Sequence, residues 1–377
     1  RLHRSASAQM SRPAISIQKS GGWTFGSPSV LMMFYRAPGE LQSELQEMDE
    51  CMPHYYKITN GHGQGAETIM RAEADFMRAC FADAQIMLER AYAQIDGNGQ
   101  ENMALCCDFL AWRLSLCTSF TPRESFEQRR EALLQQHNVA WLNILQSSCA
   151  YYYALLGLPE KIPAVFREHQ LASIHFLAPG KPMMELIENQ VYLAQGEYAK
   201  VIGHSEALLG MCEAMHYALV ALHIRLQTAA AYEMLGKRET ADELLISALA
   251  AAEPDALYLP FVENYRYLKT ALTRGAGAKF AAFVRTVTPL GEDFVRRCGE
   301  KGAEGSRPAA LAGLTERESA IAALVAKRLS NREIAEQLFL SEGSVKQYIN
   351  QIYSKLLITG DVRTKRKRLA ELAAPKS

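Results

Sequence analysis

Near the C-terminal end of the chain, a short run of polar side chains has the types and spacing suited to contact with nucleic acid. In a helix over this stretch the apolar residues form one stripe, and the polar residues lie on the other side: Ser344, Lys346, Gln347, Asn350, Gln351 and Ser354. Lysine can bind phosphate or guanine, and the amides of Gln and Asn can pair with adenine edges. No carboxylate follows Glu342 on this face, where one would repel phosphate. The pattern predicts readout of the major groove of double-stranded DNA.

Three short helices must position these side chains. Thr315 precedes Glu318 and Ser330 precedes Glu333, which are two capping-box patterns, and Ser341 is a third N-cap candidate. Apolar residues at helical spacing follow each cap: Ala320, Ile321, Leu324 and Val325; Ile334, Ala335, Leu338 and Phe339; Val345, Ile349, Ile352, Tyr353 and Leu356. A connection of about three residues joins the second helix to the third, which is typical of a helix-turn-helix. A lone polar helix face is usually only solvated; the caps, the short turn and the face together favour DNA contact.

These segments resemble the LuxR-type (GerE-like) DNA-binding domain of bacterial transcription regulators. The matching motifs are LTERE at 314–318, SNREIAEQLFLS at 330–341, SVK at 344–346 and the Lys-Leu pair at 355–356. The resemblance implies that Lys346, Gln347 and Asn350 touch DNA. Two positions depart from the family pattern: Tyr348 stands where His is frequent, and Leu357 stands where Gly is frequent.

The basic tail adds further candidate contacts. Five cations lie within residues 363–368, too close in sequence to share one helical face. In LuxR-type domains a final helix lies beside the recognition helix and can pair two copies on DNA, so both pairing and phosphate contact stay open for this tail. The complete set of candidate DNA contacts is Ser344, Lys346, Gln347, Asn350, Arg332, Arg363 and Lys365.

The distribution of charge supports a nucleic-acid partner for the C-terminal part only. Residues 307–377 contain 13 Lys and Arg against 7 Asp and Glu, whereas the whole chain balances 41 against 41. The remaining 306 residues therefore carry an excess of six acids. A basic segment on an acidic body is expected where one domain binds a polyanion.

The region from 66 to 298 has helical patterning and a steady internal period. Turn positions at 79, 118, 157, 196 and 236 are spaced by 39, 39, 39 and 40 residues. Small and aromatic residues flank them, which resembles tetratricopeptide-like repeats and predicts a stacked α-solenoid. An irregular helical bundle is the alternative.

The sequence thus predicts an all-α protein with four segments. Residues 1–65 form an N-terminal lead-in and first helix, 66–298 a tetratricopeptide-like helical domain, 299–313 a flexible linker, and 314–377 a four-helix LuxR-type domain. This order resembles the large ATP-binding LuxR regulators related to the maltose regulator. The resemblance implies a solenoid that senses a small-molecule or protein effector.

Other residues give weak support for catalysis or metal binding. The glycine-rich stretch 60–65 lacks the Lys-Ser/Thr of a phosphate-binding loop, and the helical histidine pairs 169/175 and 216/223 form no HExxH motif. The eight cysteines have no zinc spacing and are expected to be reduced thiols. The aromatic run 151–153 could line a ligand groove, although core packing is the more common role. We therefore predict no enzyme activity, no metal and no cofactor.

These observations predict a cytoplasmic, sequence-specific transcription regulator without a membrane span. The alternative is a helical-repeat scaffold for protein partners whose basic tail binds DNA weakly and without sequence preference.

Overall fold

The structure is a computed structural model that describes residues 26–59, 61–97, 99–135, 139–174, 178–275, 279–305 and 314–373. Every regular element in these ranges is helical, which confirms the predicted all-α class. The chain separates into two compact units, Arg1–Cys298 and Gly299–Ser377.

The first unit contributes fifteen α-helices among the described residues. They are α1 (Leu31–Phe34), α2 (Leu41–Thr59), α3 (Ala66–Met77), α4 (Phe81–Ile95), α5 (Glu101–Cys117), α6 (Phe126–Gln135), α7 (Val139–Leu156), α8 (Ala164–Arg167), α9 (Lys181–Gln195), α10 (Tyr198–Met215), α11 (Ala218–Met234), α12 (Arg238–Ala252), α13 (Leu259–Glu263), α14 (Tyr265–Gly275) and α15 (Ala281–Gly305). The second unit contains α16 (Glu316–Ala326), α17 (Asn331–Leu338), α18 (Glu342–Lys355) and α19 (Val362–Ala373).

Helix pairs in the first unit stack in register along the chain. The pairs α3–α4, α9–α10 and α11–α12 are each joined by a short turn. The first helices of successive pairs, α3, α5, α7, α9, α11 and α14, each contact the next in this series. This arrangement lets neighbouring pairs bury apolar faces that one pair could not bury alone. It agrees with a helical-repeat region, while the tetratricopeptide assignment itself stays a prediction.

Four of the five predicted turn positions have left-handed backbone. The φ angles are +59° at Ala79, +72° at Gly157, +77° at Gly196 and +76° at Gly236. A residue in this conformation ends a helix by turning its amide back toward the last carbonyls. Thr118 differs, with an extended φ of −137°, and its hydroxyl donates to a carbonyl one turn back at 3.0 Å. The 39-residue period therefore marks helix ends.

The third pair lacks a long second helix. After Gly157 the described chain forms only short helical turns and α8 before α9 begins at Lys181. Pro159, Pro163 and Pro179 fall in this stretch. Proline lacks an amide hydrogen and clashes with the preceding helical turn, so these three prolines disfavour a long helix here.

The N-terminal segment, residues 26–36, belongs to the core, in contrast to the predicted lead-in. Leu31 is fully buried, and its amide donates to Glu73 Oε2 at 2.7 Å. The Tyr35 hydroxyl and the Gly39 amide both donate to Asp255 Oδ2 at 2.6 Å. Residues far apart in sequence thus fix this segment. The predicted portion of the lead-in at 1–25 lies outside the described residues.

The predicted linker at 299–313 is helical over its first part, because α15 continues to Gly305. Glu300, Lys301 and Ala303 are good helix formers, and the helix continues through the neighbouring glycines. Residues 306–313 lie outside the described ranges.

A buried ion pair ties together three helices of the first unit. Arg113 of α5 donates through Nε to Glu263 Oε1 at 2.8 Å and through Nη2 to Glu263 Oε2 at 3.1 Å. The Tyr151 hydroxyl donates to the same carboxylate at 2.8 Å. Both charged side chains are 1% exposed, and the rings of Phe76 and Phe109 cover the guanidinium. Tyr151 is therefore a core residue, as the packing alternative had it.

Replacing only one partner of this pair should be far more damaging than replacing both. We expect Glu263→Leu alone to lower the unfolding free energy of the first unit by about 3–5 kcal/mol, because Arg113 is left buried without its counterion. Arg113→Met combined with Glu263→Leu should restore part of that loss. The three tryptophans all lie in the first unit, so urea unfolding followed by tryptophan fluorescence measures it. A double variant less stable than Glu263→Leu would contradict this account.

The second unit encloses its own apolar core. Its buried side chains come from all four helices and include Ile321, Ile334, Ile349, Ile352 and Leu369. The three predicted N-caps are confirmed: Thr315 and Ser330 form complete capping boxes with Glu318 and Glu333, and Ser341 accepts from the Ser344 amide at 3.0 Å.

Three helix ends of this unit use left-handed residues that are not glycine. The φ angles are +62° at Arg328, +52° at Phe339 and +52° at Leu357. At the end of α18 the Leu357 amide donates to the Ser354 carbonyl, and the Ile358 amide to the Tyr353 carbonyl at 2.9 Å. This is the glycine-type helix end that the family pattern implied, formed here by a leucine whose side chain is 84% exposed.

Glycine at this helix end should stabilise the second unit. A residue with a Cβ is strained in the left-handed region, and the exposed Leu357 side chain contributes little packing to offset the strain. We expect Leu357→Gly to raise local stability by about 1 kcal/mol relative to Leu357→Ala, which removes the same side chain but keeps the Cβ. Hydrogen exchange of the α18 amides, read by mass spectrometry, measures the difference. Equal protection in the two variants would show that the backbone there is unstrained.

Candidate nucleic-acid interface

The helix-turn-helix consists of α17, the three residues 339–341, and α18. Val345, Ile349, Ile352 and Tyr353 are buried along one side of α18, as their spacing predicted. The opposite side is open to solvent at Lys346, Gln347 and Asn350, and also at Gln351 and Ser354. In the part of the chain that the structure describes, none of these five side chains pairs with another protein group. The donors and amides of this face are therefore available to a ligand.

Ser344 is engaged within the protein. Its amide is capped by Ser341, and the two hydroxyls lie 2.8 Å apart. The side chain is half-buried in the first turn of α18. This candidate contact is therefore the third residue of α18, where it bonds to the N-cap Ser341 and helps to fix the start of the helix.

Arg332 lies on α17 and not on the recognition helix. Its Nε is 3.3 Å from Glu336 Oε1, and both side chains are largely exposed. Such a surface pair contributes little to stability and opens readily. The guanidinium can therefore leave its carboxylate to meet a phosphate.

The basic tail forms α19, and its cations have different surroundings. Arg363 is exposed, while Lys365 is half-buried with Nζ 5.8 Å from the centre of the Tyr353 ring. Arg366 donates to Asn331 Oδ1 at 2.7 Å and to the Leu329 carbonyl at 2.6 Å. Arg366 thus holds α19 against the start of α17, a structural role that the sequence analysis missed.

A groove beside α18 brings in a cation that the sequence analysis did not single out. Its walls include Lys346, Gln347 and Asn350 from α18, together with Arg317 from the first turn of α16 and Lys355. In the sequence, the motif LTERE indicates a helix N-cap and a family resemblance, and neither assigns a role to Arg317. One sequence feature could have identified Arg317 as a candidate contact: it is a cation in the first turn of a helix that must lie beside α18.

Glu318 fixes the relation between α16 and α18. Its Oε2 accepts from the Thr315 amide and from Lys355 Nζ, both at 2.7 Å, and the side chain is 4% exposed. Burial acts to raise the pKa of Glu318, but the hydrogen bonds from Lys355 and Thr315 outweigh it and hold the pKa below its ordinary value. The carboxylate stays ionised at neutral pH, so Lys355 is partly neutralised inside the groove.

Of the histidines named in the sequence analysis, His169 and His223 have structural surroundings, whereas His216 is an exposed, left-handed residue at the end of α10. His169 stacks on Tyr192 at 4.0 Å, and His223 is fully buried. His175 lies outside the described residues. Among the described residues, no group of three His, Cys, Asp or Glu side chains could hold a metal ion. Over the same residues, the helices are too short or too polar to cross a lipid bilayer.

Comparison with known proteins places this geometry in a family. Residues 312–366 match the bacterial regulatory proteins of the luxR family. A stretch of 55 residues is 44% identical to the transcriptional regulatory protein LnrK of Bacillus subtilis (strain 168), covering 15% of this chain and 25% of LnrK. A stretch of 46 residues is 39% identical to the DNA-binding transcriptional activator DevR/DosR of Mycobacterium tuberculosis (strain ATCC 25618 / H37Rv), covering 12% of this chain and 21% of that protein.

The family match lies in the C-terminal part, and the chain spans a quarter or less of the length of these two relatives. No solved structure matches the chain. The matched residues contain α16, α17, α18 and the first part of α19. The second unit therefore carries a LuxR-type helix-turn-helix DNA-binding domain.

Proposed function

We propose that the protein is a sequence-specific transcription regulator whose first unit senses an effector or a protein partner. The observation that supports this most strongly is the exposed face of α18, where Lys346, Gln347 and Asn350 stand without a partner in the described chain. LnrK and DevR/DosR, which are similar over 55 and 46 residues of this chain, are described as a transcriptional regulatory protein and a DNA-binding transcriptional activator.

The chemistry of the face divides into positioning and readout. Arg317 beside α18 and Arg363 on α19 can bind phosphates and set the register on the duplex. Lys355, at the end of α18, is partly neutralised by Glu318 and adds less. Lys346 can reach guanine acceptors or a phosphate, and the amides of Gln347 and Asn350 can pair with adenine. Pairing of two copies on an operator, which the family resemblance implies for the last helix, belongs to the same proposal.

The stacked helix pairs of the first unit support the sensing part of the proposal. Such arrays commonly present extended binding surfaces formed by several repeats. Regulation requires the effector to bind one arrangement of the protein more tightly than another. The order of a helical array followed by a LuxR-type domain also favours a relation to the large ATP-binding regulators, which we include as a proposal.

Lys346 should be required for the choice of DNA sequence. We expect Lys346→Ala to weaken binding to a selected operator by about 1–3 kcal/mol while bulk DNA is affected less, because a lost base contact acts on one sequence only. Operators are first selected from genomic fragments, and affinities are then measured at matched salt. Lys327→Ala, an exposed lysine at the end of α16, removes the same charge as a control. Unchanged operator binding by Lys346→Ala would remove α18 from base readout.

Arg363 should act through phosphate and not through sequence. We expect Arg363→Gln to reduce the slope of log K against log salt by about 0.9, the release expected for one phosphate contact, with sequence preference kept. Arg285→Gln, an exposed arginine in the first unit, should leave the slope unchanged. Loss of sequence preference with the slope unchanged would instead assign Arg363 to base readout or to pairing of two copies.

A further inference from the structure

A cavity of about 480 Å³ opens in the first unit between segments that are distant in sequence. Met33, Phe34 and Arg36 of the N-terminal segment form one wall, and α2 forms another. Met70 of α3 and the end of α10 complete it. This volume lies within the range of about 300–1,000 Å³ found for small-molecule pockets.

Methionine dominates the lining. Five of the twelve lining residues are methionine, whereas the whole chain has 14 in 377 residues: Met33, Met48, Met52, Met70 and Met215. Four of the five are less than 10% exposed. Flexible, polarisable methionines with nearby aromatic rings, here Phe34 and Tyr55, suit an apolar ligand of aromatic character.

Among the side chains that line the cavity, Arg36, Glu44 and Glu47 together carry a net charge of −1, and the exposed His216 imidazole lines it as well. Arg36 donates through Nε to both oxygens of Glu44, at 2.8 and 3.0 Å, and through Nη2 to Glu47. Two carboxylates therefore share one guanidinium. Glu44 is buried at 5% exposure, and Glu47 is 54% exposed. An anion would face the excess carboxylate, whereas a cation would meet Glu47 and the faces of the aromatic rings.

We propose that this cavity binds an apolar organic cation, of the aryl-phosphonium or quaternary ammonium class. A bare soft metal ion would fill only a small fraction of the volume, which favours an organic molecule. This assignment names the effector class within the proposed function, although binding to the cavity does not depend on DNA recognition.

The position of the cavity gives such a ligand a route to regulation. A bound molecule touches the N-terminal segment, α2 and the turn between α10 and α11 at the same time. Hydrogen bonds to Glu73 and Asp255, the Arg36 pair with Glu44 and Glu47, and buried apolar side chains already hold the N-terminal segment. The ligand would therefore hold this segment to the helical array and favour the arrangement in which the two are docked.

The direct test uses two ions of equal shape and opposite charge on the full chain. Isothermal titration should show tetraphenylphosphonium binding at one site, at least about tenfold more tightly than tetraphenylborate, the ratio expected from one charge contact and ring stacking. Glu47→Lys should abolish or reverse this preference, because the exposed carboxylate becomes a cation. Glu131→Lys changes the same charge on an exposed carboxylate of α6 and should keep the preference.

A second variant tests the volume instead of the charge. Cys51 is half-buried and lines the cavity, so Cys51→Trp should fill it and lower phosphonium affinity at least tenfold. Thermal unfolding and far-ultraviolet circular dichroism verify that the variant is folded. If it does not fold, Glu47→Lys still decides the question.

Several results would overturn the assignment. They are the absence of phosphonium binding, equal or tighter binding of tetraphenylborate, a preference that survives Glu47→Lys, and displacement of phosphonium by one equivalent of Ag⁺, which would identify a soft-metal site. Failure here is separable from failure of the proposed function. Phosphonium binding that leaves operator affinity unchanged counts against effector sensing only, while normal operator binding by Lys346→Ala counts against DNA readout only.

Discussion

The geometry of the DNA-binding unit depends on one buried carboxylate. Glu318 completes the capping box of α16 and accepts from Lys355 at the far end of α18. These two bonds fix the start of one helix against the end of another, so the recognition helix has a defined direction before DNA arrives. Ordering paid for during folding is not paid again on binding, and this is the physical meaning of a preorganised interface.

The outer face of α18 can remain without internal partners because other groups stabilise the unit. Stability of the unit comes from the apolar stripe of α18, the three N-caps and the Arg366 bonds to the start of α17. Because these groups hold the fold, Lys346, Gln347 and Asn350 are not needed for stability. When DNA binds, these polar side chains lose their bound water. The loss is small only if the ligand supplies matching hydrogen-bonding groups, and the edges of base pairs do so.

Local features were predictable from the sequence, and features that depend on distant residues were not. The three N-caps and the stripe of α18 follow from spacings of three or four residues, and all three caps and four of the five stripe residues were correct; the fifth, Leu356, is half-buried at the C-cap. Arg366 had looked like its neighbours in the basic tail, because its partner Asn331 lies 35 positions away. Likewise, nothing within residues 26–36 indicated that the Leu31 amide would donate a hydrogen bond to Glu73.

Contacts between residues distant in sequence also hold the first unit together, and they limit which parts of it can respond to a ligand. Its buried pair Arg113–Glu263 joins helices 150 residues apart in sequence. An arrangement of the array that separated the two charges would leave each buried without a partner and would be strongly disfavoured. Burial raises the pKa of Glu73 to about 7, so the group that anchors the N-terminal segment is close to its titration point at neutral pH. This segment is also held by Asp255 and by its own buried side chains. The methionine-lined cavity lies against that segment, which is where a small differential affinity would have the largest effect.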